Sequence, residues 1–270
     1  MHLKRWLTSL VALPLVVLLI LKGGTVLFSL IVGLIVIVSL WEYFEIVFKN
    51  HEPHVPRVFS LWAYLCGAAI VAAVHSVSYL GVLLILVFHL IGVGLLCIQR
   101  FKITSDAPLV AAKQMFGMAY IPLLLSFLVV LRNGNNGIVW VSFVLWVVAW
   151  GDIGAYYVGS YLGRHKLCPA VSPKKTVEGA LGGLGANLIS ALAFAMLFTD
   201  STMSLRIVVI ALTAGVLGQA GDLFESLFKR AAGVKDSGGI LPGHGGFLDR
   251  LDALMFAAPA VFVLKEYVLP

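Results

Sequence analysis

The sequence predicts an all-α polytopic membrane protein, and three observations predict it. Apolar residues make up 60% of the chain and charged residues only 12%, whereas a soluble globular domain is about half apolar and a quarter charged. The apolar residues gather into runs of bilayer-spanning length, about 20 residues each, divided by short polar breaks. The Lys and Arg residues crowd into alternate breaks. In a soluble chain a formal charge of +6 would point to nucleic acid. Here it is the surplus that cytoplasmic loops of membrane proteins carry, and no nucleic-acid partner is expected.

About nine spans are read in order, near 6–21, 24–47, 58–74, 78–98, 108–131, 137–162, 177–198, 204–228 and 250–268. The first starts with Lys4 and Arg5 like a signal peptide. No small-x-small site precedes Lys22 and another apolar run follows at once, so it reads as a retained helix. The second ends with Glu42 and Glu45, which read as interfacial. The third and fourth meet at the turn His75–Tyr79, the fourth ends at Arg100–Lys102, and the fifth ends at Arg132–Gly137. The sixth carries Asp152, and Gly151, Ala155, Gly159 and Gly163 form a small-residue ladder suited to close helix packing. The basic break Arg164–Lys175 leads to the seventh, whose N-terminus Ser172 or Thr176 can cap. The eighth ends in GQAGDLFESLFKR, and a long polar stretch separates it from the ninth.

About fourteen of the 19 Lys and Arg fall on the side of the N-terminus and about four on the other. The positive-inside rule therefore places the N-terminus in the cytoplasm and, with an odd span count, the C-terminus outside. Residues 1–135 read as scaffold helices with lipid or dimer contacts, and 136–270 as the region that carries the chemistry. Cys66, Cys97 and Cys168 have no CxxC spacing, so neither a disulfide framework nor a zinc site follows. Cys168, in a basic break, is the cysteine expected to label.

The densest chemistry lies between Ser226 and Asp252. Charges beside a bilayer are costly, so such a cluster marks a functional site. Asp222, Glu225, Ser226 and Lys229 are spaced to share one helical face, with Leu223, Phe224 and Leu227 opposite. Beyond Arg230 come Lys235, Asp236, Gly238, Gly239, Gly243, His244, Gly245 and Gly246, then Asp249, Arg250 and Asp252. Glycine lets backbone N–H groups close on an anion. Acids suit a hard cation and Lys/Arg the remaining negative charge, which together make a phosphate and divalent-metal site. Plainer readings stand beside this one: Asp222 and Glu225 can pair with Lys229 and Arg230, Asp249 and Asp252 can cap the last span, and Lys174 and Lys175 can face anionic lipid. Asp152, an acid within a span, needs a partner or a cavity.

These residues resemble the signature of the phosphatidate cytidylyltransferase (CDP-diacylglycerol synthase) family. Ser226, Lys229, Arg230, Lys235, Asp236, Pro242, His244, Gly245, Gly246, Asp249, Arg250 and Asp252 carry it without a departure. The upstream element of that family is matched by Ser172, Pro173, Lys174, Lys175, Thr176, Glu178 and Gly179. The resemblance covers roughly residues 150–260. It implies Mg²⁺-dependent transfer of CMP from CTP to phosphatidate at the cytoplasmic face of the cell (inner) membrane, by a homodimer. It also implies Asp222 and Asp249 as metal ligands. Asp252 is expected to join them, and a second cation is compatible with the same acids. Lys229, Arg230, Lys235 and Arg250 are expected to neutralise phosphate, with His244 shaping the triphosphate pocket. Ser226, Asp236, Gly245, Gly246, Lys174, Lys175 and Asp152 are expected to contact substrate. Two rivals remain at this level. One is a related CTP-dependent enzyme acting on another lipid phosphate or lipid alcohol. The other is an ion-coupled transporter, which would show interrupted helices in two related halves; no such repeat is visible.

Overall fold

Runs of apolar residues bordered by Gly, Pro and basic breaks become helices because a bilayer leaves backbone N–H and C=O groups no other partners. The computed structural model describes residues 2–50, 54–198, 205–240 and 245–268. It contains α1 (His2–Lys22), α2 (Gly24–Val47), α3 (Arg57–His75), α4 (Tyr79–Phe101), α5 (Ala107–Met118), α6 (Leu124–Asn133), α7 (Gly137–Leu162), α8 (Val177–Phe198), α9 (Leu205–Ala231) and α10 (Leu248–Val263). Helices α5 and α6 form one rod through a π turn, Ala119–Leu123. Pro122 within that turn lacks an N–H, and the wider turn absorbs the missing bond. Among the described residues, α2, α3, α4, the α5–α6 rod, α7, α8 and α9 are long and apolar enough to cross a membrane. The chain is an integral membrane protein.

One element was not expected. The break before α8 folds into an antiparallel hairpin, β1 (Lys166–Cys168) with β2 (Ser172–Thr176), pairing Lys166 with Thr176 and Cys168 with Ser172. Its strands are too short and too polar to show a period-2 pattern.

The chain divides into two compact units, 1–133 with 231–249, and 134–230 with 250–270. In the first, Val32, Val36, Leu40 and Tyr43 of α2 are buried with Phe59, Ala63 and Ile70 of α3 and Met118, Ile121 and Leu125 of the α5–α6 rod. Gly67 allows the close approach of α3, since a Cβ there would lie 2.8 Å from Leu40 Cδ1. The Tyr43 hydroxyl donates to Lys113 O at 3.0 Å, and Lys113 Nζ donates to Val47 O at 2.5 Å, satisfying the end of α2. Leu30, Leu34, Leu61, Leu65, Leu83 and Leu90 face outward, as lipid-facing positions do.

In the second unit the small-residue ladder of α7 packs against the glycines of α8. A Cβ on Gly179 would lie 2.9 Å from Ala155 O and 3.0 Å from Gly159 Cα, and one on Gly183 would lie 3.0 Å from Gly151 O. The two backbones are in contact there, as small residues permit. Trp146 Nε1 donates to Ser190 O at 3.0 Å, and Phe143 and Trp146 pack on Phe194.

Candidate active site

The close α7–α8 contact sets the position of the hairpin, and the hairpin positions two lysines. Thr176 Oγ1 accepts from Gly179 N at 3.1 Å and so caps α8. Glu178, in the first turn of α8, accepts from Arg164 N at 3.0 Å and His165 N at 3.1 Å, and its Oε1 lies 2.5 Å from His165 Nδ1. Val177 N donates to His165 O at 2.8 Å. At the far end of the hairpin, Arg230 Nε donates to Val171 O at 3.0 Å. The short strands are thus held at both ends by groups outside them.

Between α7, α8, α9 and this hairpin lies a cavity of about 380 Å³, lined by Asp152, Tyr156, Lys174, Lys175, Gln219 and Asp222 among others. Lys175 Nζ sits 2.5 Å from Asp222 Oδ2, and both side chains keep about a third of their surface exposed. Gln219 Nε2 donates to Ala180 O at 3.0 Å, which ties α9 to α8 beside the cavity. A smaller cavity reaches deeper from Asp152 and Gln219 to Asn187. Four residues expected at the site, Asp152, Lys174, Lys175 and Asp222, therefore line one space.

The polar face of α9 turns inward, not toward open solvent. Glu225 is fully buried and pairs with Lys229; Ser226 and Lys229 are buried too, while Leu227 is exposed. The Glu225–Lys229 pair realises the plainer reading of those two charges. Arg230 reaches the hairpin turn. In α10, Asp252 is buried, its Oδ1 accepting from Ala253 N at 2.7 Å, while Arg250 is exposed. The backbone of Asp252 abuts Gly221 of α9, where a side chain would collide with it.

The first unit holds the other part of the signature. Lys235 and Asp236 are exposed in the loop after α9, and Ser237 is buried. Asp249 Oδ2 accepts from Ser237 N and from Gly246 N, each at 2.9 Å. Ser237 Oγ accepts from Asp249 N at 3.3 Å. Gly245 has φ +82°, a conformation that suits glycine alone without strain. His244, with Pro242 and Gly243, lies outside the described residues.

Glu42 corrects the sequence reading. Instead of sitting at the interface it is fully buried, with Oε1 accepting from Phe247 N at 3.0 Å and Oε2 from Leu248 N at 2.8 Å and Ser237 Oγ at 3.2 Å. Its partners lie about 200 positions downstream, so no local pattern could reveal them. Gln219 and Asn187 are not among the residues expected at the site, and Glu178, read only as part of the upstream motif, clasps the hairpin. The signal for the first two was available: a lone amide inside an apolar span needs a partner. Among the described residues no group of three or more His, Cys, Asp or Glu is gathered as a metal cage.

Residues 3–268 match the model of the cytidylyltransferase family. The chain belongs to that family. Among its relatives, the phosphatidate cytidylyltransferase of Staphylococcus saprophyticus is 36% identical over 265 residues, which covers 96% of this chain and 97% of that protein. The phosphatidate cytidylyltransferase of Staphylococcus aureus is 35% identical over 268 residues, with the same coverage. That of Staphylococcus haemolyticus is 34% identical over 265 residues. The match to the cytidylyltransferases thus extends over the N-terminal helices as well as the signature.

Proposed function

We propose that this protein transfers the cytidylyl group of CTP to phosphatidate, giving CDP-diacylglycerol and pyrophosphate. The observation that carries the reading is the cavity of the second unit, where Lys174 and Lys175 of the upstream motif meet Asp152 and Asp222. It combines cationic groups for phosphate with carboxylates for a hard cation. The full-length likeness to phosphatidate cytidylyltransferases supports the choice of lipid.

The reaction needs no strong base, because a phosphatidate phosphate oxygen is already a nucleophile. That oxygen forms a bond to the α-phosphorus of CTP, the bond from that phosphorus to the αβ-bridging oxygen breaks, and pyrophosphate leaves with the electron pair. Catalysis is then a matter of bringing two anions together and countering the charge on the leaving group. Lys174 and Lys175 serve the first task by drawing a phosphate into the cavity. When phosphate arrives, Lys175 exchanges its carboxylate partner for it. Lys235 and Arg250, both exposed, are the cations assigned to the leaving group.

Mg²⁺ fits the donor set in one way. Mg²⁺ is usually held by one or two carboxylates plus substrate phosphates and not by an all-protein cage. Acids that are not gathered into a cage among the described residues suit an ion brought in with the nucleotide. Asp222, Asp249 and Asp252 are the carboxylates that would hold it, and it would supply charge neutralisation along the triphosphate. The working side is assigned to the cytoplasm by the distribution of Lys and Arg, where CTP is dissolved and the lipid is held in the same leaflet.

The test is to incubate the purified protein with labelled CTP, Mg²⁺ and a panel of lipid phosphates and lipid alcohols. Pyrophosphate release with phosphatidate alone is the expected result. Release with another lipid in its place would assign a different acceptor, and no release with any would remove the reading.

A further inference from the structure

A buried carboxylate is costly unless its oxygens are hydrogen-bonded. Glu42 is fully buried in α2, and among the described residues no cation pairs with it. Its compensation comes from the Phe247 and Leu248 amides at the N-terminus of α10, and from the Ser237 hydroxyl. Amides at a helix start carry partial positive charge, which favours an anion.

Every one of these donors touches or flanks Asp249. Ser237 is shared: its hydroxyl donates to Glu42 and accepts from Asp249 N, while its own N–H donates to Asp249 Oδ2. Gly246 N donates to the same Oδ2. The loop is shaped around the Glu42 carboxylate as well. A Cβ on Gly246 would collide with it and with the Ser237 hydroxyl, and a Cβ on Gly238 would collide with it too. Gly238 and Gly246 are therefore required by a side chain of this chain far upstream, with no bound phosphate needed to account for them. All these groups lie in the first unit.

We propose that Glu42 is a positioning residue: it anchors the signature loop to the rigid α2 helix and so sets the direction in which Asp249 presents its carboxylate. Without that anchor the described residues of the segment after α9, 232–240 and 245–247, have no helix or strand to hold them. The catalytic half of the inference rests on the cytidylyl-transfer reading; the structural half does not.

Glu42→Gln keeps the shape but turns an NH₂ group toward donors that need an acceptor. In detergent-purified protein, turnover is expected to fall about 10- to 100-fold, the range for groups that orient a metal ligand. The KM for phosphatidate and the unfolding temperature should stay close to those of the parent. Hydrogen–deuterium exchange should quicken at 237 and 246–249 and leave α2, α3 and the α5–α6 rod unchanged. Ser237→Ala should show the same pattern more weakly, and it carries the test alone if the Gln variant does not fold. Parental turnover with a loosened loop would overturn the proposal. So would activity that falls only in step with general loosening of the helices. If the parent protein forms no CDP-diacylglycerol, the functional reading and the catalytic half fall together. The exchange result then still decides whether Glu42 holds the loop.

Discussion

Asp222 and Lys175 neutralise one another across the cavity at 2.5 Å, each still partly open to solvent. An exposed pair of this kind adds little stability, which leaves both groups exchangeable: the lysine can turn to a phosphate and the aspartate to a cation. Asp222→Asn should therefore lower turnover at least about 100-fold, the scale of losing one electrostatic contact to a transition state, while thermal unfolding in detergent stays near that of the parent. Turnover close to normal in that variant would show that Asp222 does not serve the reaction. Lys175→Met should weaken the use of a phosphate-bearing substrate. A kcat/KM unchanged for both CTP and phosphatidate would leave the lysine as a partner of Asp222 only. Asp222 and Lys175 could both be picked out from residue type and motif, but their contact could not, because 47 positions separate them and the hairpin between hides the path.

The hairpin and the α7–α8 pair are the elements that make such a contact possible. Two short strands have little stability of their own, and Glu178 supplies what they lack by accepting from Arg164 N and His165 N. Glu178→Ala removes that acceptor. Limited proteolysis should then cut between 164 and 176 faster than in the parent, with activity reduced; an unchanged cleavage rate would show that the clasp is dispensable. Helices α7 and α8 touch through glycine, and a Cβ on Gly182 would collide with Val158. Gly182→Val should cost about 1–3 kcal/mol by overpacking, visible as a lower unfolding temperature. An unchanged temperature would mean that the helices separate freely. The ladder was legible because small residues at helical spacing have few other uses in a span. The hairpin was not, because its residues satisfy charge and turn preferences equally well as an open loop.

Across the molecule, the bias of Lys and Arg predicts which side each break faces, and the cysteines allow a direct check. Cys66 is buried, whereas Cys97 within α4 and Cys168 in the hairpin are both partly exposed, Cys97 with its Sγ 3.2 Å from Ala107 O. A membrane-impermeant maleimide should label Cys168 in inverted vesicles and not in intact cells; the reverse pattern would invert the topology. Hydropathy and length alone determined that the chain is a bundle of membrane helices, and their ends fall close to the residues expected, because a bilayer forces every long apolar run to satisfy its backbone within itself. The charged signature likewise singled out a candidate reacting region, since charged groups beside a membrane are costly. The burial and partners of those groups were decided by the tertiary structure. Only there does the polar face of α9 turn inward, and only there does Glu42, which looked like an interfacial acid, become the anchor of a loop about 200 residues away. A hydrogen bond between distant segments leaves no periodicity in either of them. It exists only once packing has brought donor and acceptor together and excluded the water that would otherwise take their place.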